Sequence, residues 1–218
     1  MKIGDMMLDE IINNFYFGSI LFVFVIVLIA YSFVFELKNK DKIYLKEYLN
    51  IKNINFEILL KYLFLSFIIR IFLEQLFTYI PFNNNDIKGP TSIFETIVEF
   101  ITTCVFAPIF EEIIFRFGVY KKINKKFNII VSIILTSIIF AVLHLYNVDG
   151  CIILIGISLI WNYVFYKTDN LIYPVLLHFF HNFYALSSNL LNYSKYWYIL
   201  LIINVFGYIF LKIKKQKN

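Results

Sequence analysis

From residue 15 to residue 35 the chain runs for about twenty residues without a charged side chain. A helix of that length crosses roughly 30 Å of hydrocarbon, so this stretch constrains the fold more than any short motif could. It does not stand alone. Further apolar runs occupy residues 56–80, 94–120, 128–146, 151–166, 171–190 and 196–211. Hydrophobic residues make up 60% of the 218, and the mean hydropathy is +0.73, where a soluble domain averages roughly 45–50% apolar. The expected fold is therefore all-α, a polytopic transmembrane helical bundle of about seven spans with a polar chamber among its core helices. The run at 151–166 is short for a full crossing. The run at 56–80 carries Lys61, Arg70 and Glu74, and the i,i+4 spacing of Arg70 and Glu74 is that of a structural ion pair. The first run is too long for a signal-peptide core and no small-x-small cleavage site follows it, so an uncleaved first span is expected.

The basic residues sort by side. Loops at 38–55, 116–126 and 167–170, together with the C-terminal tail, gather fifteen lysines and arginines; the alternate loops hold Lys2, Lys88 and Lys195. The positive-inside rule then places the N-terminus outside and the C-terminus in the cytoplasm of a cell membrane. The net charge of +5 reports this topology and an attraction to anionic lipid, and gives no indication of nucleic-acid binding. Cys104 and Cys151 lie in or beside apolar runs and read as small buried residues without a disulfide framework. Richness in Ile, Asn, Lys and Phe is compatible with an AT-rich bacterial genome.

Inside the apolar runs lie polar groups that membranes rarely tolerate. The third run contains Ala107-Pro-Ile-Phe-Glu111-Glu112-Ile-Ile-Phe-Arg116-Phe-Gly118. A carboxylate at bilayer depth costs roughly 2.5–3.5 kcal/mol on insertion scales and normally faces protein or a wet cavity. On a helix Glu112 and Arg116 share a face while Glu111 points about 100° away, so one carboxylate is held by the arginine and the other is left for chemistry. All three histidines, at 144, 178 and 181, also fall in apolar runs. His178 and Asn182 share a face at i,i+4, and His181 points elsewhere. A carboxylate and an imidazole can activate water directly or around a metal; a second imidazole and a carboxamide can donate to an oxyanion. There is no serine nucleophile elbow and no His-Glu-x-x-His helix. Pro108 is a candidate break in the third run, Ser92 with Glu95 fits a capping box, and residues 147–150 read as a tight turn.

Glu111-Glu112-x-x-x-Arg116, Phe140-x-x-x-His144 and His178-x-x-x-Asn182 resemble, in order, the three motifs of the CPBP intramembrane proteases, the CAAX-protease-like and bacteriocin-processing (Abi) group. The resemblance covers roughly residues 92–190. It implies an endopeptidase in which Glu111 and His144 position and deprotonate water, His178 and Asn182 stabilise the oxyanion, and Glu112 and Arg116 orient the first carboxylate. It leaves open a zinc held by Glu111, His144 and His178. On this reading residues 1–90 form an N-terminal region of two spans serving packing and substrate gating. Residues 91–192 form the catalytic core, and 193–218 the last span and a basic tail. The partners are the bilayer and a peptide or membrane-associated protein substrate, with peptide maturation or bacteriocin self-immunity as the role. Two other readings stand beside it: a non-catalytic membrane immunity or scaffold protein, and a proton-coupled transporter. One geometric difficulty comes with it. At ~1.5 Å per residue, Glu111 lies about 15 Å from the lysines that follow it. His144 lies about 25 Å from the start of its own span. The two meet only if the helices tilt or the third helix continues beyond Tyr120.

Overall fold

The computed structural model describes residues 15–52, 54–79, 93–144 and 148–191. These form six long helices and no strand among the described residues: α1 (Phe15–Asp41), α2 (Phe56–Tyr79), α3 (Ile93–Asn124), α4 (Ile129–Leu143), α5 (Val148–Thr168) and α6 (Ile172–Leu191). A short 3₁₀ turn, Leu45–Tyr48, follows α1. The all-α expectation is met. Three helices are long and apolar enough to cross a membrane, namely α1 from Leu21, α3 and α5; α4 is apolar but shorter. The described residues therefore establish three such helices where the sequence suggests seven spans. The expected last span at 196–211 and the Ser92 cap lie outside the described residues.

The helix starts follow local chemistry. Asn55, Asn128 and Asn170 each turn a side-chain oxygen to backbone N–H groups just ahead, Glu57 at 2.9 Å, Val131 at 3.0 Å and Ile172 at 3.0 Å. A helix start leaves such donors unpaired, and Asn is among the best residues to satisfy them. Asp169, with φ 46°, ends α5 in the left-handed region, which Asp tolerates better than most residues. The run expected to be short is in fact 21 residues long. Asp149 and Gly150 belong to the first turn of α5, not to a preceding tight turn.

Helix α5 is the central element, packing against α2, α4 and α6, with Ile157, Trp161, Val164 and Phe165 fully buried. Helix α1 lies along α3. Its Ile26, Ala30 and Leu37 face inward, while Leu21, Phe24, Leu28, Tyr31 and Phe35 are exposed. An outer surface so apolar suits lipid and not water. The basic loops that the charge pattern places on one side do meet at one end of the bundle. There Lys121 pairs with Asp169 at 2.8 Å, Lys125 with Asp41 at 2.5 Å, and Lys122 with Glu36.

Helix α3 does not break at Pro108. It widens instead. Phe100–Phe106 and Ile113–Tyr120 are π-helical, with one α-helical stretch, Ala107–Glu112, between them. The Ala107 N–H reaches back to the Thr102 carbonyl, five residues earlier, just before a proline that has no N–H to offer. Wide turns of this kind are rare and concentrate at functional sites. Every residue from Glu111 to Gly118 is buried. The helix also continues past Tyr120 to Asn124, one of the two conditions under which Glu111 and His144 can meet.

At Gly118, α3 packs directly against Phe33 of α1. A Cβ there would lie 2.6–2.7 Å from Cδ1 and Cγ of Phe33, near the root of the ring and not at a flexible tip. Gly118→Ala is expected to lower thermal stability in detergent by about 1–3 kcal/mol. An unchanged melting temperature would mean that the contact is loose.

Candidate active site

Glu112 and Arg116 lie one turn apart on α3, both fully buried. They form a two-pronged ion pair: Arg116 Nη1 donates to Glu112 Oε1 at 3.0 Å and Nε approaches Oε2 at 3.0 Å. Nη2 donates to the Ser158 hydroxyl on α5 at 2.8 Å, and the guanidinium lies over the rings of Phe140 (4.7 Å) and Trp161 (5.4 Å). Every edge of this buried cation is thus occupied. Such geometry is what lets a desolvated pair persist.

The pair grips a histidine. His178 Nδ1 lies 2.8 Å from Glu112 Oε1, and because a carboxylate only accepts, Nδ1 carries the proton. The imidazole is stacked on Trp161 with centroids 4.6 Å apart. Its other nitrogen, Nε2, faces Glu111 Oε2 at 3.8 Å. His144, at the C-terminal end of α4, is arranged in the same way. Its Nδ1 sits 2.7 Å from the Phe140 carbonyl, so Nδ1 is the donor and Nε2 faces Glu111 Oε2 at 3.4 Å. Phe140 packs between the two histidines, 4.4 Å from the His144 ring and 5.7 Å from the His178 ring. One carboxylate oxygen is therefore addressed by two imidazole nitrogens, each oriented from behind.

Glu111, His144, His178 and Asn182 line one cavity of about 270 Å³. Asn182 donates one Nδ2 hydrogen to the Thr103 carbonyl at 2.8 Å, which fixes its amide against α3. All six residues singled out by the motifs are at or directly behind this cavity. Arg116 and Glu112 form the support and do not line it. The placement of the pair differs from expectation in one respect, since Glu112 and Arg116 hold His178 and not Glu111. His181 does not point elsewhere; it lines the same cavity and lies 5.6 Å from the Trp161 ring.

The donor types suit zinc, with two imidazoles and one carboxylate, and each Nδ1 is anchored as metal-binding histidines usually are. Among the described residues, however, no three His, Cys, Asp or Glu side chains are grouped so as to hold a metal ion. Glu111, His144 and His178 as they stand are not a ready-made zinc site.

Several contributors carry no motif. Phe22 of α1 and Arg70 and Glu74 of α2 line the cavity, so the first ninety residues help build the site. Ser158 and Asn162 on α5 form a buried polar pair behind Arg116. Asn162 Nδ2 donates to Ser137 Oγ at 2.9 Å and to the Ser158 carbonyl at 3.1 Å. Two polar residues at i,i+4 in an otherwise apolar run were a visible signal for them. A second, apolar hollow of about 600 Å³ between α1, α3 and α4 also reaches Glu111 and His144.

Residues 93–184 match the family model described as Type II CAAX prenyl endopeptidase Rce1-like. No curated protein and no solved structure matches the chain significantly. The matched segment runs from the start of α3 into α6 and contains all three motifs in order. With the motif side chains gathered on one buried cavity, residues 93–184 of this chain are similar to the Type II CAAX prenyl endopeptidases of the Rce1-like family.

Proposed function

We propose that the protein is an intramembrane endopeptidase that hydrolyses a peptide bond with water activated by Glu111 and His144. The observation that carries this reading is the approach of both imidazole Nε2 atoms to one Glu111 oxygen, at 3.4 and 3.8 Å, in a cavity walled by membrane-type helices. Water held between Glu111 and His144 Nε2 attacks the scissile carbonyl carbon and gives its proton to Glu111. The carbonyl oxygen takes up negative charge. The second Nδ2 hydrogen of Asn182 can stabilise it, as can His178, but the latter with a condition. Its Nδ1–H is spent on Glu112, so Nε2 donates only when His178 is an imidazolium, balanced by the Glu112 carboxylate. The tetrahedral intermediate then collapses, the C–N bond breaks, and the proton on Glu111 passes to the leaving amine. Glu112 and Arg116 act from behind, keeping His178 in its tautomer.

The substrate is a peptide or a membrane-associated protein. We place the enzyme in a bacterial cell membrane, crossing it several times, with its C-terminus in the cytoplasm. Its role is peptide maturation or bacteriocin self-immunity.

The test uses protein reconstituted in lipid vesicles and a panel of apolar peptides in ¹⁸O-water. Hydrolysis puts one ¹⁸O into the new carboxyl group of the N-terminal product and none into the C-terminal product, read by mass spectrometry. His144→Ala is expected to slow product formation by about 10²-fold or more. Bacteriocin protection that persists while no peptide is cut would make the chain a non-catalytic membrane partner.

A further inference from the structure

The site contains two arginines in different states, Arg116 fully buried and Arg70 partly exposed. Each of the three Arg116 nitrogens lies within 3.0 Å of an oxygen of Glu112 or Ser158. Arg70 on α2 is not so surrounded. Its side chain is 12% exposed. Nε binds Glu74 Oε1 at 2.6 Å, and Nη1 lies 2.9 Å from the His181 ring and 3.3 Å from the His181 carbonyl. The guanidinium covers the Tyr184 ring at 4.4 Å. Nη2 makes no hydrogen bond among the described residues. Glu74 is itself 32% exposed. Arg70, Glu74 and His181 line the same 270 Å³ cavity as Glu111, His144, His178 and Asn182.

A pair made only to stabilise a helix inside a membrane would be expected to set an oxygen against each guanidinium nitrogen, as Glu112 and Ser158 do around Arg116. Here the planar cation is braced on one side by Glu74, on another by His181, and from below by Tyr184, and it belongs to a residue that lines the cavity. A rigid, weakly hydrated guanidinium in such a wall suits a carboxylate. The adjacent Glu74 disfavours a dianion such as a phosphate. A cavity of this volume admits only a short stretch of chain, so a group bound at Arg70 belongs to a residue near the scissile bond.

We propose that Arg70 is a specificity-determining residue that binds a substrate carboxylate, at the chain terminus or on an acidic side chain, beside the cleaved bond. The proposal rests on the endopeptidase reading and is tested so that the two can fail separately. Matched apolar peptides are prepared with a free C-terminal acid or an amide, and with Asp or Asn near the cleavage site. Each is given to the wild type, Arg70→Gln, Arg70→Lys and Glu111→Gln. The wild type is expected to lose at least about tenfold in kcat/KM when the recognised carboxylate is neutralised. Which substitution causes the loss, acid to amide or Asp to Asn, identifies the source. Arg70→Gln should cut both members of that pair at similar rates, with the change mainly in KM, and Arg70→Lys should keep part of the preference. A wild type that cuts all forms equally overturns the proposal while leaving the endopeptidase reading standing. So does a preference that survives in Arg70→Gln. Cleavage undiminished in Glu111→Gln overturns the reading beneath it. If Arg70→Gln does not accumulate in membranes, the wild-type comparison decides alone.

Discussion

Replacing Glu111 by Gln is expected to slow peptide hydrolysis by about 10²–10⁴-fold, the range for removing a positioned general base, with little change in thermal stability. The substitution keeps the size and shape of the side chain, which matters at a position only 6% exposed. What it removes is the ability to take a proton from water. Glu111 Oε2 is buried and has no hydrogen-bond partner among the described residues, its nearest polar neighbours being the two imidazole nitrogens at 3.4 and 3.8 Å. In the amide, an N–H placed there would donate to either Nε2, both of which are acceptors when their Nδ1 positions carry the proton. The variant therefore has a hydrogen-bonding reason to stay folded and a chemical reason to be inert. Activity and melting temperature, measured on the same reconstituted sample, separate the two. Turnover within tenfold of the wild type would remove Glu111 from the mechanism.

The parts of this site that were legible in the sequence are those whose presence in a bilayer is expensive. Glu111, Glu112, Arg116, His144 and His178 announce themselves because a polar group at depth must find a partner, and several such groups in successive runs suggest a common chamber. Which of them touch was less legible. Helical periodicity puts Glu112 and Arg116 on one face, and the structure agrees, but the partner that their ion pair holds sits on another helix, His178 on α6. The meeting of Glu111 with His144 depends on α3 running on to Asn124 and on its two π-helical stretches. A wide turn shifts side chains off the 100° spacing from which faces are read, and Pro108 by itself signals a break as readily as a widening. His181 was misplaced for a related reason: a face is defined by what packs against it, and Arg70 of α2 lies more than a hundred residues away in sequence. Arg70 and Glu74 could be paired from spacing alone, but nothing in one helix says that the pair borders a cavity.

The second large effect concerns stability and activity together, and its value lies in their expected divergence. Glu112→Ala leaves the Arg116 guanidinium fully buried with only Ser158 and two aromatic rings as company. Breaking one side of a buried ion pair costs about 3–5 kcal/mol, since a charge is stranded away from water. Arg116→Met should cost a similar amount by stranding Glu112, softened by the hydrogen bond that His178 Nδ1 still donates. The double variant Glu112→Leu, Arg116→Met strands neither charge. Apolar replacement of a whole buried pair is often neutral or stabilising, so the double variant should melt well above either single one. Hydrolysis should nonetheless stay lost in all three. Without the Glu112 carboxylate, Nδ1 of His178 has no fixed acceptor, the ring is free to change tautomer, and Nε2 no longer faces Glu111 in a defined state. A double variant that regains stability and also regains cleavage would show that the ion pair is a structural brace alone. A double variant no more stable than the singles would show that the surrounding polar residues, Ser158 and Asn162, require the charged partners. Recovery of the fold without recovery of chemistry is the result that assigns Glu112 and Arg116 to positioning His178.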